Sequence, residues 1–276
     1  MAYATYEFNG TRYAGEVIGD TVVPLEGISE IGVVTSIDAL SAARRLDDAA
    51  VALAEVTMLP VVPNPTKIIC VGLNYLDHVT ETKRDLPKYP VLFPKYAASL
   101  IGAYDDVALP PESSQVDYEG ELAVVIGRSG RRISADNALE HVLGYAASND
   151  VTMRDFQYKT HQWLQGKAWD ATTPVGPYIV TPGEVDIQGS GIRTILNGKT
   201  VQESTLDQLI FSIADLVSAV STFTTLQPGD IILSGTPGGV GFRRDPQLFL
   251  TEGDTVCVEI DGVGTVTNAV RAEKED

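Results

Sequence analysis

The stretch Asp117-Tyr118-Glu119-Gly120-Glu121-Leu122-Ala123-Val124-Val125-Ile126 places two acidic residues, one glycine apart, directly before an unbroken apolar run. The run has strand length and is rich in branched residues, so it reads as a β-strand. In an extended chain, residues i and i+2 project from one face. Glu119 and Glu121 therefore stand side by side, while Leu122, Val124 and Ile126 line the opposite, core-facing side. Adjacent carboxylates repel unless a cation lies between them or one keeps its proton. The stretch is thus either an ordinary strand with a solvated glutamate face or one half of a cation site.

Working outward, the chain is punctuated by short strands. Tyr3 to Phe8 and Thr11 to Val17 flank Asn9-Gly10, a type I′ hairpin signal, and Thr21 to Leu25 follows. Further hairpins are expected at Asn197-Gly198 and Asp261-Gly262, and a strand at Ile231 to Leu233 after the turn Gln227-Pro228-Gly229-Asp230. Helices are expected from about Ile37 to Ala54, after Ser134, and after Ser204 or Thr205, where Leu209, Ile213, Leu216, Val217 and Val220 share a helical face. Leu59-Pro60-Val61-Val62-Pro63-Asn64-Pro65 reads as a linker, because its prolines fit neither a helix nor a central strand. The expected organisation is a small β-rich N-terminal module, residues 1–60, followed by a main domain, residues 66–276. There is no βαβ alternation and no glycine-rich phosphate loop after a strand, so the class is α+β with mostly antiparallel sheet.

The composition restricts the partners. The 276 residues carry 20 basic and 37 acidic side chains, a net charge of −17. Such a field repels phosphate backbones and anionic membranes, which argues against nucleic-acid binding. It also slows anionic substrates unless a local cation, such as a bound divalent metal, focuses them. Cys70 and Cys257 make neither a disulfide framework nor a metal motif, and no targeting segment or membrane span is visible. A cytoplasmic protein is expected.

Four further clusters carry potential chemistry. Asp150 follows the apolar run Val142 to Ala147 and can complete a three-carboxylate shell with Glu119 and Glu121 for a hard cation. The alternative, that Asp150 or Asp155 caps a helix beginning near Thr152, suits Asp155 better, since Asp150 lies two residues too early. His78 and Glu81 share a face if their segment is helical. A carboxylate that accepts one imidazole N–H leaves the other nitrogen free to take a proton; a lone histidine is otherwise a structural or surface residue. Lys167, within Gln165-Gly166-Lys167-Ala168-Trp169-Asp170, is an anion anchor or a surface lysine. Ser234-Gly235-Thr236-Pro237-Gly238-Gly239-Val240-Gly241, at a strand end, either lets backbone approach a ligand or is simply a tight loop.

Taken in order, Gly72-x-Asn74-Tyr75-x-x-His78-x-x-Glu81, Asp117-Tyr118-Glu119-x-Glu121-Leu122, Asn149-Asp150-x-x-x-Arg154-Asp155-x-Gln157, Gly166-Lys167-x-x-Asp170 and Ser234-Gly235-Thr236-Pro237-x-Gly239-x-Gly241 resemble the fumarylacetoacetate hydrolase family over nearly all of residues 66–272. The resemblance implies a mixed β-sandwich roll as the fold, with the N-terminal module as a common bacterial extension. It implies Glu119, Glu121 and Asp150 as ligands of Mg²⁺ or Mn²⁺, His78 and Glu81 as a water-activating pair, Lys167 at the anionic end of the substrate, and Gln157 and Thr236 as substrate contacts. Leu73 stands where many members carry arginine. The implied activity is metal-dependent carbon–carbon hydrolysis of an acylpyruvate (a fumarylpyruvate- or fumarylacetoacetate-type 2,4-dioxo acid) in aromatic catabolism, by a homodimer. The alternatives on the same site are isomerisation of a 2-hydroxydienedioate or decarboxylation of an oxaloacetate-type 2-oxo acid, and, last, an inactive metal-binding scaffold.

Overall fold

The computed structural model describes residues 1–76 and 86–273. Its architecture is mixed α+β, dominated by two sheets. The larger sheet runs in the order Val51–Ala52, Thr21–Pro24, Thr11–Ile18, Ala2–Phe8, Thr173–Val180, Val142–Asn149, Gly120–Ile126, Ile231–Leu233, Ile68–Gly72, Val91–Lys95. The second is five-stranded: Lys199–Thr205, Gly191–Leu196, Thr255–Ile260, Gly264–Ala272, Val107–Leu109. Most pairings are antiparallel, but Ile231–Leu233 lies parallel to Ile68–Gly72. The expected hairpins form, and Asn9 and Asn197 adopt the positive φ, near 50°, that their turns need.

The strand Gly120–Ile126 sits at the centre and is buried on both faces, because each alternate side-chain set finds a separate core. Leu122, Val124 and Ile126 pack against Ile192, Val258 and Val266 of the second sheet and against Leu216, Val217 and Val220 of the helix Ile213–Phe223. Ala123 and Val125 face Ile68, Cys70, Ile231 and Val175. A solvated glutamate face is therefore excluded. Glu119 and Glu121 are 6% and 1% exposed.

The residues of the first sixty contribute strands that continue the same sheet. Ala2–Phe8 pairs with Thr173–Val180, so the sheet passes from the N-terminal segment into the rest of the chain. The proline-rich stretch after them is packed down. Val61 and Val62 are fully buried, and the Val61 N–H donates to Val175 O at 3.2 Å.

Several helix expectations are corrected by tertiary pairing. The helix at Ile37 ends at Ala42, since the Leu46 N–H is taken by Pro24 O and Val51–Ala52 pairs with Thr21–Pro24 as the edge of the sheet. After Ser134 the chain forms 3₁₀ turns, Ala135–His141, without a side-chain cap. Residues 199–205 remain strand, and the following helix starts at Ile213, where Ser212 and Asp215 form a reciprocal capping box. Thr152–Met153 pairs with Val116–Asp117, which delays the next helix to Arg154–Gln157; Asp155 does not cap it and accepts from the Ser113 hydroxyl instead.

Candidate functional site

The antiparallel register Gly120↔Asn149 sets the start of one central strand beside the end of its neighbour. This brings Glu119 and Glu121 next to Asp150, whose N–H donates to Glu119 O at 2.8 Å. One carboxylate oxygen from each of the three lies within 4.8 Å of the others, and all three residues are buried. Gly120 is needed between the glutamates because the second sheet closes on it: a Cβ there would stand 2.3 Å from Thr194 Oγ1. The Gln202 side chain secures the same point. Its Oε1 accepts from the Gly120 N–H at 3.0 Å and its Nε2 donates to Thr236 Oγ1 at 2.8 Å.

Buried cations surround the triad. Lys167 Nζ lies 2.5 Å from Glu119 Oε2 and 2.7 Å from Asp150 Oδ2. Lys95 Nζ lies 2.5 Å from Asp150 Oδ1, and Arg154 spans Glu119 (2.7 Å) and the fully buried Asp117 (2.8 Å). Asp117 in turn receives the N–H groups of Gly241 and Phe242 at 2.7 and 2.9 Å, which ties the glycine-rich loop to the site. Glu121 accepts from the Gly235 N–H at 2.8 Å; Gly235 takes φ +99°, and a Cβ on it would meet Asn74 and Val71 at 2.9 Å.

These placements fix the protonation tendencies. Burial pushes the Glu121 carboxyl well above the usual range, and the neighbouring Asp150 and Glu119 charges add to this. Burial alone would depress Lys167, but Asp150 and Glu119 outweigh it and hold the ammonium above its ordinary value. Lys167 is therefore a persistent cation and a donor, and it is unsuited to act as a base. Three carboxylates offering hard oxygen donors, one of which strongly resists ionising without an added positive charge, suit a divalent cation.

Above the triad lies a cleft lined by Val71, Gly72, Leu73, Phe93, Gln157, Tyr158, Trp163, Thr236, Phe242 and Arg243, with Glu119, Glu121, Arg154 and Lys167 at its floor. Phe93 and Trp163 meet edge to face, 5.6 Å between centroids, and the Lys167 ammonium sits 4.8 Å from the Phe93 ring. Gln157 accepts from Arg154 Nη1 at 3.0 Å. Leu73 is held at φ 56° on the rim.

Of the residues singled out from the sequence, the fold thus gathers Glu119, Glu121, Asp150, Lys167, Gln157 and Thr236. His78 and Glu81 lie outside the described residues. Sequence reasoning gave no role to Lys95, Asp117, Gln202 or the aromatic wall. Arg154 did carry a signal, sitting four residues after Asp150. Lys95 carried none, since it ends a strand far away in the chain.

In this α+β fold a buried carboxylate triad that could hold a metal ion lies beneath a small cleft, and residues 67–271 match the C-terminal domain family of fumarylacetoacetate (FAA) hydrolases. The chain belongs to that family. It is 46% identical over 219 residues to the human mitochondrial oxaloacetate tautomerase FAHD2A, spanning 78% of this chain and 70% of that protein. Among solved structures it resembles a 5-carboxymethyl-2-hydroxymuconate delta-isomerase from Mycobacterium smegmatis (33% identity, TM-score 0.85, 99% and 100% of the two chains). It also resembles a fumarylacetoacetate hydrolase from Exiguobacterium antarcticum (34% identity, TM-score 0.83, the same coverage). No helix among the described residues is long and apolar enough to cross a membrane.

Proposed function

We propose that this protein is an isomerase of small dicarboxylic 2-oxo acids, catalysing keto–enol tautomerisation of oxaloacetate or a close analogue. The observation that carries the reading is the buried triad Glu119, Glu121 and Asp150 with the protonated Lys167 laid across it. The names of the relatives support tautomerisation and isomerisation better than acylpyruvate hydrolysis, the activity expected from the sequence.

The triad would hold Mg²⁺ or Mn²⁺, which supplies Lewis-acid stabilisation of negative charge developing on the 2-oxo oxygen. The side chains do the rest. Lys167 and Arg154 keep two carboxylates fixed and present positive charge to the substrate's anionic end. Gln157 and Thr236, both buried at the cleft, orient the substrate by hydrogen bonding. Phe93 and Trp163 exclude water on one side. Tautomerisation moves one proton from the enol oxygen to C3 while the double bond shifts to carbon–oxygen. His78, oriented by Glu81, is our candidate for that transfer; the pair rests on its spacing in the sequence.

Hydrolysis of an acylpyruvate is the second reading, favoured by the Exiguobacterium hydrolase neighbour and the intact His78/Glu81 pattern. Decarboxylation of oxaloacetate would use the same floor. We further propose a homodimer in a reducing compartment, which suits two unpaired cysteines; cytoplasm was expected, while the human relative's name is mitochondrial.

The test is ultraviolet decay of enol-oxaloacetate with Mg²⁺ and with excess chelator, beside acetylpyruvate cleavage and CO₂ release. Metal-dependent enol decay well above the buffer rate, without cleavage or CO₂, is the expected result. Pyruvate plus a carboxylic acid from acetylpyruvate would replace it with the hydrolase reading.

A further inference from the structure

Three cations line the cleft among the described residues: Arg154, Lys167 and Arg243. The first two are committed to the buried carboxylates. Arg243 is exposed, has no carboxylate partner among the described residues, and stacks its guanidinium 5.3 Å from the Phe242 ring. Its neighbour Arg244 is turned inward, donating to Tyr118 Oη and Gly239 O at 2.9 and 3.0 Å. The turn Gly241–Arg243 is itself fixed, because Gly241 and Phe242 donate to Asp117 beneath the floor. Arg243 is thus a cation held on a rigid support at the rim of an acidic molecule's cleft.

We infer that Arg243 is the specificity determinant for the distal carboxylate of a dicarboxylic 2-oxo acid, the end remote from the 2-oxo group. The inference rests on the function proposed above. A substrate that lays its 2-oxo carboxylate over the floor has its second carboxylate left to place, and the floor has no uncommitted cation for it. A guanidinium presents paired N–H donors in a plane that matches a carboxylate. Stacking on Phe242, which in turn lies 5.2 Å from Tyr158, limits its rotamers. A charge-assisted contact at a partly open rim corresponds to about tenfold in affinity.

The test compares the Mg²⁺-loaded wild type, Arg243→Gln and Arg243→Lys on the enols of oxaloacetate and phenylpyruvate, the latter lacking a distal carboxylate. Arg271→Gln, at a distant exposed arginine, controls for the change in net charge. Calorimetric binding of oxaloacetate and of oxalate, which mimics only the 2-oxo carboxylate end, is measured in parallel. Arg243→Gln should raise KM for oxaloacetate enol about tenfold more than for phenylpyruvate enol, with kcat nearly unchanged. Arg243→Lys should recover most of the loss, and Arg271→Gln should leave the ratio of the two substrates as in wild type. If Arg243→Gln shifts both substrates equally, or neither, the inference is overturned. Should the wild type turn over neither enol, the proposed function fails, and the binding pair still decides. Weakened oxaloacetate binding with oxalate binding kept supports a distal-carboxylate site, while parallel changes, or no binding of either, refute it.

Discussion

The Lys95 ammonium lies 2.5 Å from Asp150 Oδ1 with both side chains fully buried, although the two residues are 55 positions apart in the chain. Lys95 ends the edge strand Val91–Lys95 and Asp150 follows the strand Val142–Asn149, so the ion pair fastens the edge of the sheet to its centre. Removing one member of a buried pair leaves the other uncompensated, at a cost of about 3–5 kcal/mol. Lys167 also touches Asp150 and offsets part of this. Lys95→Met should therefore cost about 3 kcal/mol in chemical denaturation with chelator present, and Lys95→Met with Asp150→Asn should cost less than the single change. Equal losses in the single and double variants would show that the pair contributes little.

Glu121 makes an opposite case. Its carboxyl resists ionisation, because burial and then Asp150 and Glu119 push it toward the neutral form. Glu121→Gln replaces that neutral acid with a near-isostere that still accepts from the Gly235 N–H. The variant should be at least as stable as wild type in chelator. Mg²⁺ should raise the Tm of the wild type, since a ligand that binds the native state stabilises it by mass action, and that rise should vanish in the variant. Thermal melts with and without Mg²⁺ read both effects, and a full Mg²⁺ shift in the variant would remove Glu121 from the metal site.

The same group sets a pH dependence. A carboxyl whose folded pKa is raised binds its proton more tightly when folded. Its contribution favours the folded state below the unfolded pKa, and is lost as pH rises through the folded value. The metal-free protein should thus lose stability through Glu121 on going from mildly acidic to alkaline pH. Mg²⁺ binding should release protons and strengthen as pH rises. Melts across that range, in Mg²⁺ and in chelator, should diverge toward high pH, and parallel curves would contradict the assignment.

How much of this was legible beforehand follows from where each signal resides. The Asn9-Gly10, Asn197-Gly198 and Asp261-Gly262 hairpins were readable because turn chemistry is local, and the carboxylate triad because its members sit in short, ordered motifs. The helix expected to reach Ala54 failed because its alanines have helical propensity, but Pro24 and Val22 offer backbone pairing that only the folded sheet provides. The burial of Glu119 and Glu121 was hidden for the same reason: two charged residues read as a solvated face until a second core is seen to cover that side. Lys95 and Gln202 act entirely across long sequence separations.

Gly120 shows how the packing of the two sheets governs the site. The Thr194 hydroxyl and Val258 occupy the space a side chain would need, the latter at 3.2 Å. Gly120→Ala should force the sheets apart between Glu119 and Glu121, costing about 1–3 kcal/mol as overpacking does and weakening Mg²⁺ affinity along with stability. Calorimetric Mg²⁺ titration beside denaturation tests this coupling. The companion change Thr194→Ser keeps the hydroxyl that binds Gln202 and removes only a methyl, so it should leave metal affinity nearly intact.

For the tautomerisation proposed above, the proton donor to C3 would lie outside the floor, because Glu121 would be taken up by the metal it helps to hold. Lys167 is held above its ordinary pKa and stays protonated, and Glu119 and Asp150 are already bound by cations. A histidine titrates near neutrality and can deliver and recover a proton in turn. His78→Ala should therefore leave Mg²⁺ affinity and Tm as in wild type while slowing enol-oxaloacetate decay by roughly 10²–10⁴-fold, the usual contribution of positioned acid–base catalysis. Glu81→Gln should slow it less, since on the proposed pairing the imidazole remains and only its carboxylate partner is changed. If His78→Ala retains the wild-type rate within about threefold, the proton reaches C3 from solvent, and tautomerisation depends on charge stabilisation by the floor alone.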